Sequence, residues 1–264
     1  MSTLDWAIDP NKMKTMATET RSTAKRRGKT REGGKPDGAT RDILLKTTSD
    51  LMIEKGVNNV SLNDIGARSG LNPALVGYYF GNKAGLMVDL LRMVLGPGVR
   101  QMQALPLMDA TPQEKLRIHV SGMVNVYFRF PYVNRLMHHL LMEDAPYFGP
   151  KIATEFSKPV GEVQRAILED GFKKDIFRKV DPMMFYVQVI GACDQLFHGR
   201  YQLEYVFGVK GVDEELKKRF IDHLMDGLLN GILARPSGNN GGDPASAASP
   251  TLPASIVQAR DPQL

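Results

Sequence analysis

Apolar positions recur at helical spacing through most of the chain, and no segment alternates convincingly between apolar and polar residues. In residues 40–55 the spacing is close to i, i+3, i+4, i+7 and i+8, which predicts an amphipathic helix that ends at Gly56. The residues at this spacing are Ile43, Leu44, Thr47, Leu51 and Met52. The pattern therefore predicts an all-α protein.

Proline, glycine and capping residues divide the central part of the chain into further helices. Thr111-Pro112-Gln113-Glu114 has the form of a helix start, with a threonine cap, proline at the first helical position and glutamate at the third. Asp181 and Asp213 are expected to cap two later helices. The expected helices span residues 83–95, with a break or kink at Gly96-Pro97-Gly98, and then 112–130, 133–143, 149–169, 182–207 and 214–234.

Residues 62–80 contain two short helical patterns joined by the turn Gly70-Leu71-Asn72. Gly70 can adopt the left-handed conformation that ends the first helix, and Asn72 is a good N-cap for the second. Pro73 lies in the first turn, where proline is tolerated, and Gly66 is expected where the two helices cross. This combination predicts a helix-turn-helix, whose second helix enters the major groove of DNA.

The second of these helices, residues 73–80, is expected to read the bases. Val76 and Tyr79 lean toward the packing face together with Ile65 and Leu71, although Tyr79 can also reach a phosphate. Tyr78 is expected to contact phosphate or a base. The residues expected on or near the exposed leading face are Asn72, Pro73, Ala74, Leu75 and Gly77.

The order of these features over residues 40–91 resembles the TetR/AcrR family of bacterial transcriptional regulators. The match includes a helix ending in Glu-Lys-Gly, the Val60-Ser61-Leu62 segment, the turn, Tyr78-Tyr79-Phe80 and Lys83. The resemblance implies a three-helix DNA-binding domain followed by a larger helical domain for ligand binding and dimerisation. Gly77 departs from the family, which usually has tyrosine there, and Gly66 replaces a common alanine, a change expected to be mild.

The resemblance also implies contacts outside the second helix. Lys83 resembles the family's lysine that meets the DNA backbone, and its charge at a helix N-terminus suits a phosphate. Further DNA contacts are expected at Thr40, Ser61 and Leu62. The resemblance implies a homodimer formed by the last two long helices, and two half-sites suit DNA recognition because one short helix reads few base pairs.

Small residues in these last helices are compatible with close helix packing. Gly227 and Gly231 lie one turn apart, and Gly191 and Ala192 form a similar patch in the preceding helix. Each glycine costs a helix about 1 kcal/mol relative to alanine, which is tolerable where another helix approaches closely. Packing within one chain explains the pattern equally well on sequence grounds.

The helical body is rich in methionine and aromatic residues, which suit a pocket for flexible apolar molecules. Core packing is the simpler explanation for any single one of them, and the family resemblance implies a pocket for the set. The expected lining is Met102, Phe128, Met137, Phe156, Tyr186 and Phe197. We therefore expect a repressor that a small apolar or amphipathic effector releases from its double-stranded DNA operator.

The expected organisation has four parts: a disordered basic arm in residues 1–38, the DNA-binding unit in 39–81, the helical body in 82–235 and a disordered tail in 236–264. Residues 1–41 hold ten Lys and Arg against five acidic residues, which accounts for the formal net charge of +5. This segment is either a solvated tail or an arm that contacts phosphates or the minor groove. Both possibilities remain open on sequence grounds.

Several classes of protein are disfavoured by the 264-residue sequence. One cysteine, Cys193, excludes an intramolecular disulfide and suits a small core residue. No run of 18 apolar residues and no apolar signal core is present, so we expect a soluble cytoplasmic protein with no membrane partner. The five histidines have no metal-site spacing, and we expect no metal and no cofactor.

No motif for a catalytic nucleophile, a phosphate-binding loop or a dinucleotide is present, so we expect no catalytic residues and no enzyme activity. A catalytic site assembled only in three dimensions needs no local motif, and turnover of a substrate would reveal one. The other alternative is a constitutive DNA-binding protein without an effector, which a ligand-induced change in operator binding would exclude.

Overall fold

The computed structural model describes residues 38–234, without the side chains of Asn58 and Arg200. The expected basic arm, except for Gly38, and the expected tail lie outside the described residues. Within 38–234 the chain forms helices, two short 3₁₀ turns and one isolated β-bridge between Phe177 and Leu233, which confirms the all-α prediction. The helices are α1 Gly38–Lys55, α2 Leu62–Ser69, α3 Ala74–Phe80, α4 Lys83–Met102, α5 Pro112–Arg129, α6 Val133–Ile152, α7 Lys158–Lys173, α8 Pro182–His198, α9 Arg200–Phe207 and α10 Glu214–Ile232.

The helix starts predicted from capping residues are confirmed. Thr111 and Glu114 form a reciprocal capping box at the start of α5. The Asp181 carboxylate accepts a hydrogen bond from the backbone N–H of Met183 at 2.8 Å, and Asp213 caps α10 in the same way. These local signals needed no tertiary information to be read correctly.

Of the break or kink predicted at Gly96-Pro97-Gly98, the break is wrong, because α4 continues through Pro97 to Met102. A proline inside a helix removes one backbone hydrogen bond and costs about 3 kcal/mol. Buried side chains on both sides of Pro97, including Val94 and Met102, hold the helix against its neighbours and offset that cost.

The helix predicted over 133–143 has the expected bounds, because Asp144 has non-helical φ/ψ of −157° and 84° and interrupts α6 two residues before Pro146. The boundaries of two other predicted helices differ. The chain continues through a π-helical turn, Ala153–Ser157, into α7, where one helix over 149–169 was predicted. The helix predicted over 182–207 divides at Gly199 into α8 and α9.

Buried apolar side chains form two clusters within 38–234. The first cluster joins α1, α2, α3 and α4 to α6 and the π-helical turn, so the N-terminal helices pack directly on the body. The second cluster lies between α5, α7, α8 and α10 and includes the end of α4. Helix α4 therefore contributes to both clusters and is the helix that connects them.

Candidate nucleic-acid interface and helical body

The start of α2 is fixed by Ser61 and Asp64. The backbone N–H of Asp64 donates to Ser61 Oγ at 3.1 Å, and the backbone N–H of Ser61 donates to Asp64 Oδ2 at 2.9 Å. Lys55 Nζ donates to Asp64 Oδ1 at 2.7 Å. Hydrogen bonds from Lys55 and Ser61 hold the pKa of Asp64 well below its usual range, so this carboxylate stays ionised.

The turn between α2 and α3 has the predicted conformation. Gly70 is left-handed at φ 71°, and its N–H donates to the carbonyl of Gly66 at 3.0 Å. Asn72 Oδ1 accepts a hydrogen bond from the backbone N–H of Ala74 at 2.9 Å, which caps α3. A Cβ at Gly66 would lie 2.6 Å from Pro73 Cγ, so the two helices meet at a position that only glycine fits without movement.

This contact corrects the expectation that alanine at position 66 would be a mild change. The proline ring is rigid, and Pro73 fixes the first turn of α3, so an added methyl group must displace the backbone rather than a flexible side chain. The angle between α2 and α3 therefore depends on the pair Gly66 and Pro73.

The exposure of α3 agrees with a helix that packs on one side and is open on the other. Val76 is fully buried, and Leu75 and Tyr79 are half-buried against the first cluster. The open side presents the Tyr78 ring, which is 64% exposed, and Gly77, whose Cβ position is unobstructed. Of the other predicted contacts, Asn72, Ala74 and Ser61 are exposed, while Pro73, Leu62, Thr40 and Lys83 are half-buried.

Cations near α3 fall into two groups. Arg41 is engaged, since it donates to Asp89 at 2.6 Å and lies over the Phe80 ring at 5.3 Å, and Arg68 pairs with Glu54 at 2.8 Å. Lys83 begins α4 and makes no hydrogen bond or ion pair within residues 38–234. Its charge therefore has no partner within the described chain, and the phosphate contact predicted for it stays a prediction.

Two polar contacts connect the N-terminal helices to the body besides the apolar packing, and a third extends the second of them within the body. Ser49 Oγ on α1 and Tyr132 Oη at the start of α6 share a buried hydrogen bond of 2.7 Å. On α4, Asp89 binds Arg41 on one side and Arg92 on the other. Arg92 in turn donates twice to the carboxylate of Glu155, each time at 2.6 Å, in the π-helical turn.

The six residues predicted to line a pocket lie in different parts of the body. Met102 is buried in the second cluster, and Phe197 packs against it. The centroids of the Phe128 and Phe197 rings are 6.4 Å apart, and Lys217 Nζ lies 4.4 Å from the centroid of the Phe128 ring. Met137 and Phe156 belong instead with the first cluster, and Tyr186 lies near Gly161 of α7.

Two open pockets lie on the surface of the body, and none of the six residues lines either of them. The first runs between α5 and α10 and is lined largely by charged groups, Arg117 and Lys217 among them. The second lies along α6, beside His138 and His139. The predicted lining thus remains a prediction.

Two polar residues in the body were missed by the sequence reasoning. His119 on α5 and Gln164 on α7 are both fully buried in an apolar environment. Neither nitrogen of the His119 ring has a hydrogen-bond partner within the described chain, and Gln164 Oε1 also has none. Burial lowers the pKa of His119 to about 4, with Gln164 acting in the opposite direction, so the imidazole is neutral at physiological pH. The available signal was a histidine on the apolar face of a predicted helix, between Leu116 and Met123.

The last long helices present an open face of small and apolar residues. Gly191 on α8 and both Gly227 and Gly231 on α10 have no atom within 4 Å of an added Cβ. Met183, Met184 and Val187 on α8 are each more than half exposed. Cys193 is instead fully buried, which confirms it as a core residue, and burial raises the pKa of its thiol to about 12.

Residues 38–234 contain no helix long and apolar enough to cross a membrane. In the same range no group of three or more His, Cys, Asp or Glu side chains is placed to hold a metal ion.

Two family models match successive parts of the chain. The model described as "Bacterial regulatory proteins, tetR family" matches residues 44–90, and "Tetracyclin repressor-like, C-terminal domain" matches residues 109–239. The transcriptional repressor NicS of Pseudomonas putida is 24% identical over 195 residues, which cover 73% of this chain and 92% of that protein.

Solved structures show the same fold. A transcriptional regulator from Saccharomonospora viridis, in complex with choline, has a TM-score of 0.59 at 18% identity, covering 75% of this chain and all of that one. The regulator FadR of Bacillus subtilis, in complex with stearoyl-CoA, has a TM-score of 0.55 at 18% identity, covering 70% of this chain and 98% of that one. At these identities the two structures establish the arrangement of helices.

Proposed function

The chain belongs to the TetR family and is a DNA-binding transcriptional regulator, and on that premise we propose that it is a repressor released from its operator by a small apolar or amphipathic molecule. The observation that carries the DNA-binding part is the α2–α3 unit. Its turn is fixed by Gly70 and Asn72, its crossing is fixed by Gly66 against Pro73, and the opposite side of α3 is open. A rigid helix with an open face is what insertion into the major groove needs.

Base readout is assigned to the leading face of α3 and phosphate binding to the residues around it. Tyr78 is the most exposed large side chain on this helix. Asn72 caps the helix through Oδ1, and its Nδ2 group has no hydrogen-bond partner within residues 38–234. Lys83 supplies a cation without a protein partner in the described chain. Thr40, Ser61 and Leu62 complete the proposed contact surface at its edges.

A homodimer through α8 and α10 is the proposed functional unit. The open glycines on α10 and the exposed methionines on α8 make this face suitable for close packing against a second copy. Dimerisation places two α3 helices on one duplex, and their separation must match half-sites about 34 Å apart, one turn of DNA.

Helix α4 is the proposed route from effector to DNA. It lies in both apolar clusters and carries Asp89 and Arg92, which link α1 to the π-helical turn. An effector that binds one arrangement of the body better than another lowers operator affinity by that difference in binding free energy. Movement of α4 would change the separation of the two α3 helices.

The effector class rests on the composition of the second cluster. Methionine and aromatic side chains there adapt to apolar molecules of irregular shape. The related regulators were solved with ligands as different as choline and stearoyl-CoA, so the shared fold alone does not select a ligand. The proposed lining from sequence is Met102, Phe128, Met137, Phe156, Tyr186 and Phe197.

The direct test is operator binding measured by fluorescence anisotropy with DNA from the region upstream of the chain's own gene and of its neighbours. A panel of fatty acids, acyl thioesters and uncharged aromatic compounds is screened by thermal shift and then added to the complex. An effector should raise the melting temperature and weaken operator binding. Operator binding that no compound alters would favour a constitutive DNA-binding protein instead.

A further inference from the structure

Two buried polar side chains in the apolar interior of the body have atoms that lack a hydrogen-bond partner of good geometry. His119 and Gln164 lie on α5 and α7, which pack against each other, and both are fully excluded from solvent. Neither ring nitrogen of His119 nor Gln164 Oε1 has a hydrogen-bond partner of good geometry within residues 38–234, although the two side chains lie close enough for Gln164 to raise the pKa of His119 against the effect of burial. A buried polar atom without a partner destabilises a fold, so such a pair in one place calls for a group that satisfies it.

The surroundings of the pair are apolar and deformable. On α5, Met123 follows His119 by one helical turn and belongs to the same cluster. On α7, Val163 and Ile167 flank Gln164, and α8 adds Val189 to the cluster. Methionine side chains repack readily, so this interior can adjust to a small apolar molecule.

No free charge accompanies the pair. Among the described residues Lys115 is the single buried side chain that carries a charge, and it lies one turn before His119. Its Nζ donates to the carbonyl of Pro106 at 3.0 Å and lies 3.7 Å from the carboxylate of Asp170. Lys115 is therefore engaged by partners of its own, although it shares Asp170 with Lys174 at 3.0 Å, and a charged ligand at the pair would find no counter-ion that is not already bound.

We propose that His119 and Gln164 bind the polar group of the effector, and that the effector is an uncharged, mainly apolar molecule with a hydroxyl or amide group. A neutral imidazole has one donor and one acceptor, and Gln164 Oε1 is an acceptor because Nε2 already donates to the carbonyl of Pro182 at 3.3 Å. A hydroxyl or amide that donates to Gln164 and accepts from His119 satisfies Gln164 Oε1 and the N–H of the imidazole. This inference rests on the proposed function, since it names the ligand class of the proposed effector site.

The alternative is that the pair stabilises the free protein, through a water molecule or through a hydrogen bond between the two side chains. The double variant His119→Phe with Gln164→Leu separates the two possibilities without any knowledge of the ligand. If the pair awaits a ligand, apolar replacements of similar size remove unsatisfied groups, and the melting temperature should rise by about 2 to 4 °C. A fall in the melting temperature would overturn the proposal.

Binding is tested with probes of defined chemistry on the full chain labelled with ¹⁵N-histidine. The uncharged probes p-cresol, 1-octanol and benzamide should shift the imidazole resonances of His119, and toluene and benzoate should shift them much less. In Gln164→Leu the affinity for p-cresol should fall at least about tenfold, because its hydroxyl loses one partner. Gln188→Leu, an exposed position on α8, serves as the matched control. Absence of a His119 shift with all three uncharged probes overturns the ligand class.

The failure of this site and the failure of the proposed function give different results. Probe binding is read at His119, whereas repression is read at the DNA. A probe that binds at His119 and leaves operator affinity unchanged contradicts the proposed regulation and supports this site. A compound that releases the DNA without any change at His119 contradicts this site and supports the proposed regulation.

Discussion

Ser49 Oγ and Tyr132 Oη lie 2.7 Å apart in the interior of the first cluster, and this hydrogen bond joins the first helix of the DNA-binding unit to the helical body. Both groups are buried, and burial raises the pKa of Tyr132 to about 12 against the opposing effect of the Ser49 hydrogen bond. The tyrosine therefore keeps its proton and its hydrogen bond throughout the physiological pH range. The two parts of the chain are connected by a polar contact with defined geometry as well as by apolar packing.

The Ser49–Tyr132 contact predicts a non-additive mutant cycle. Tyr132→Phe and Ser49→Ala should each lower the free energy of unfolding by about 1 to 2 kcal/mol, because each leaves the buried hydroxyl of the other residue without a partner. The double variant should lose clearly less than the sum of the two, since the second change removes no further hydrogen bond. Urea denaturation followed by circular dichroism gives all three values. Tyr147→Phe, at an exposed ring, is the control, and strict additivity would contradict the shared bond.

The contact between Gly66 and Pro73 predicts opposite effects for the same substitution at two glycines. Gly66→Ala should destabilise the protein by about 1 to 3 kcal/mol, because its Cβ would lie 2.6 Å from Pro73 Cγ. Gly77→Ala meets no atom and should stabilise α3 by up to about 1 kcal/mol. Thermal and urea denaturation measure both.

A rescue variant checks the cause of the loss at Gly66. Pro73→Ala removes the ring atoms that an alanine at position 66 would meet, so Gly66→Ala combined with Pro73→Ala should be more stable than Gly66→Ala alone. If the second substitution brings no recovery, the loss comes from another contact, such as the Leu71 carbonyl at 3.0 Å.

The features that were predictable from sequence are those that depend on neighbouring residues. The turn at Gly70 and Asn72, and the caps at Thr111, Asp181 and Asp213, require only side chains that reach backbone groups a few residues away. A break or kink was predicted at Pro97 for the same local reason, and the helix does not break there because burial of distant side chains holds α4 together.

The effector site was less accessible to sequence reasoning. The pattern of methionines and aromatic residues does not show which face of each helix points inward. The structure places two of the six predicted lining residues with each apolar cluster, and Phe128 and Tyr186 with neither. His119 was noticed only as one of five histidines without metal spacing. Its distinguishing property, burial beside Gln164 without a partner, depends on the packing of α5 on α7 and so appears only in three dimensions.

Burial of His119 predicts a specific pH dependence of stability. Its folded pKa is about 4, below the value near 6.5 of the unfolded chain, so the unfolded state binds a proton that the folded state excludes. The contribution of His119 to the free energy of unfolding is fully present above about pH 6.5. It falls by up to about 3 kcal/mol as the pH decreases toward 4. Urea denaturation from pH 7 to 4.5 should show a smaller loss in His119→Phe than in the wild type. His223→Phe, at an exposed residue, should follow the wild type, and equal slopes for all three proteins would show that His119 is accessible to protons when folded.

Lys83 predicts a contact with DNA that does not depend on base sequence. It begins α4 next to the exposed face of α3, and it has no ion-pair partner within residues 38–234, so its charge is available to one phosphate. Lys83→Ala should weaken binding to operator and to unrelated DNA by a similar factor, because a phosphate contact carries no base information. The plot of log affinity against log salt concentration should become shallower by about one unit, which corresponds to one counterion fewer released. Fluorescence anisotropy between 50 and 200 mM salt, roughly the range over which such slopes are resolved, measures both quantities.

Lys179→Ala, at an exposed residue of the body, should leave the slope unchanged. A Lys83→Ala protein that keeps the full slope and loses affinity only for the operator would mean that this lysine reads a base.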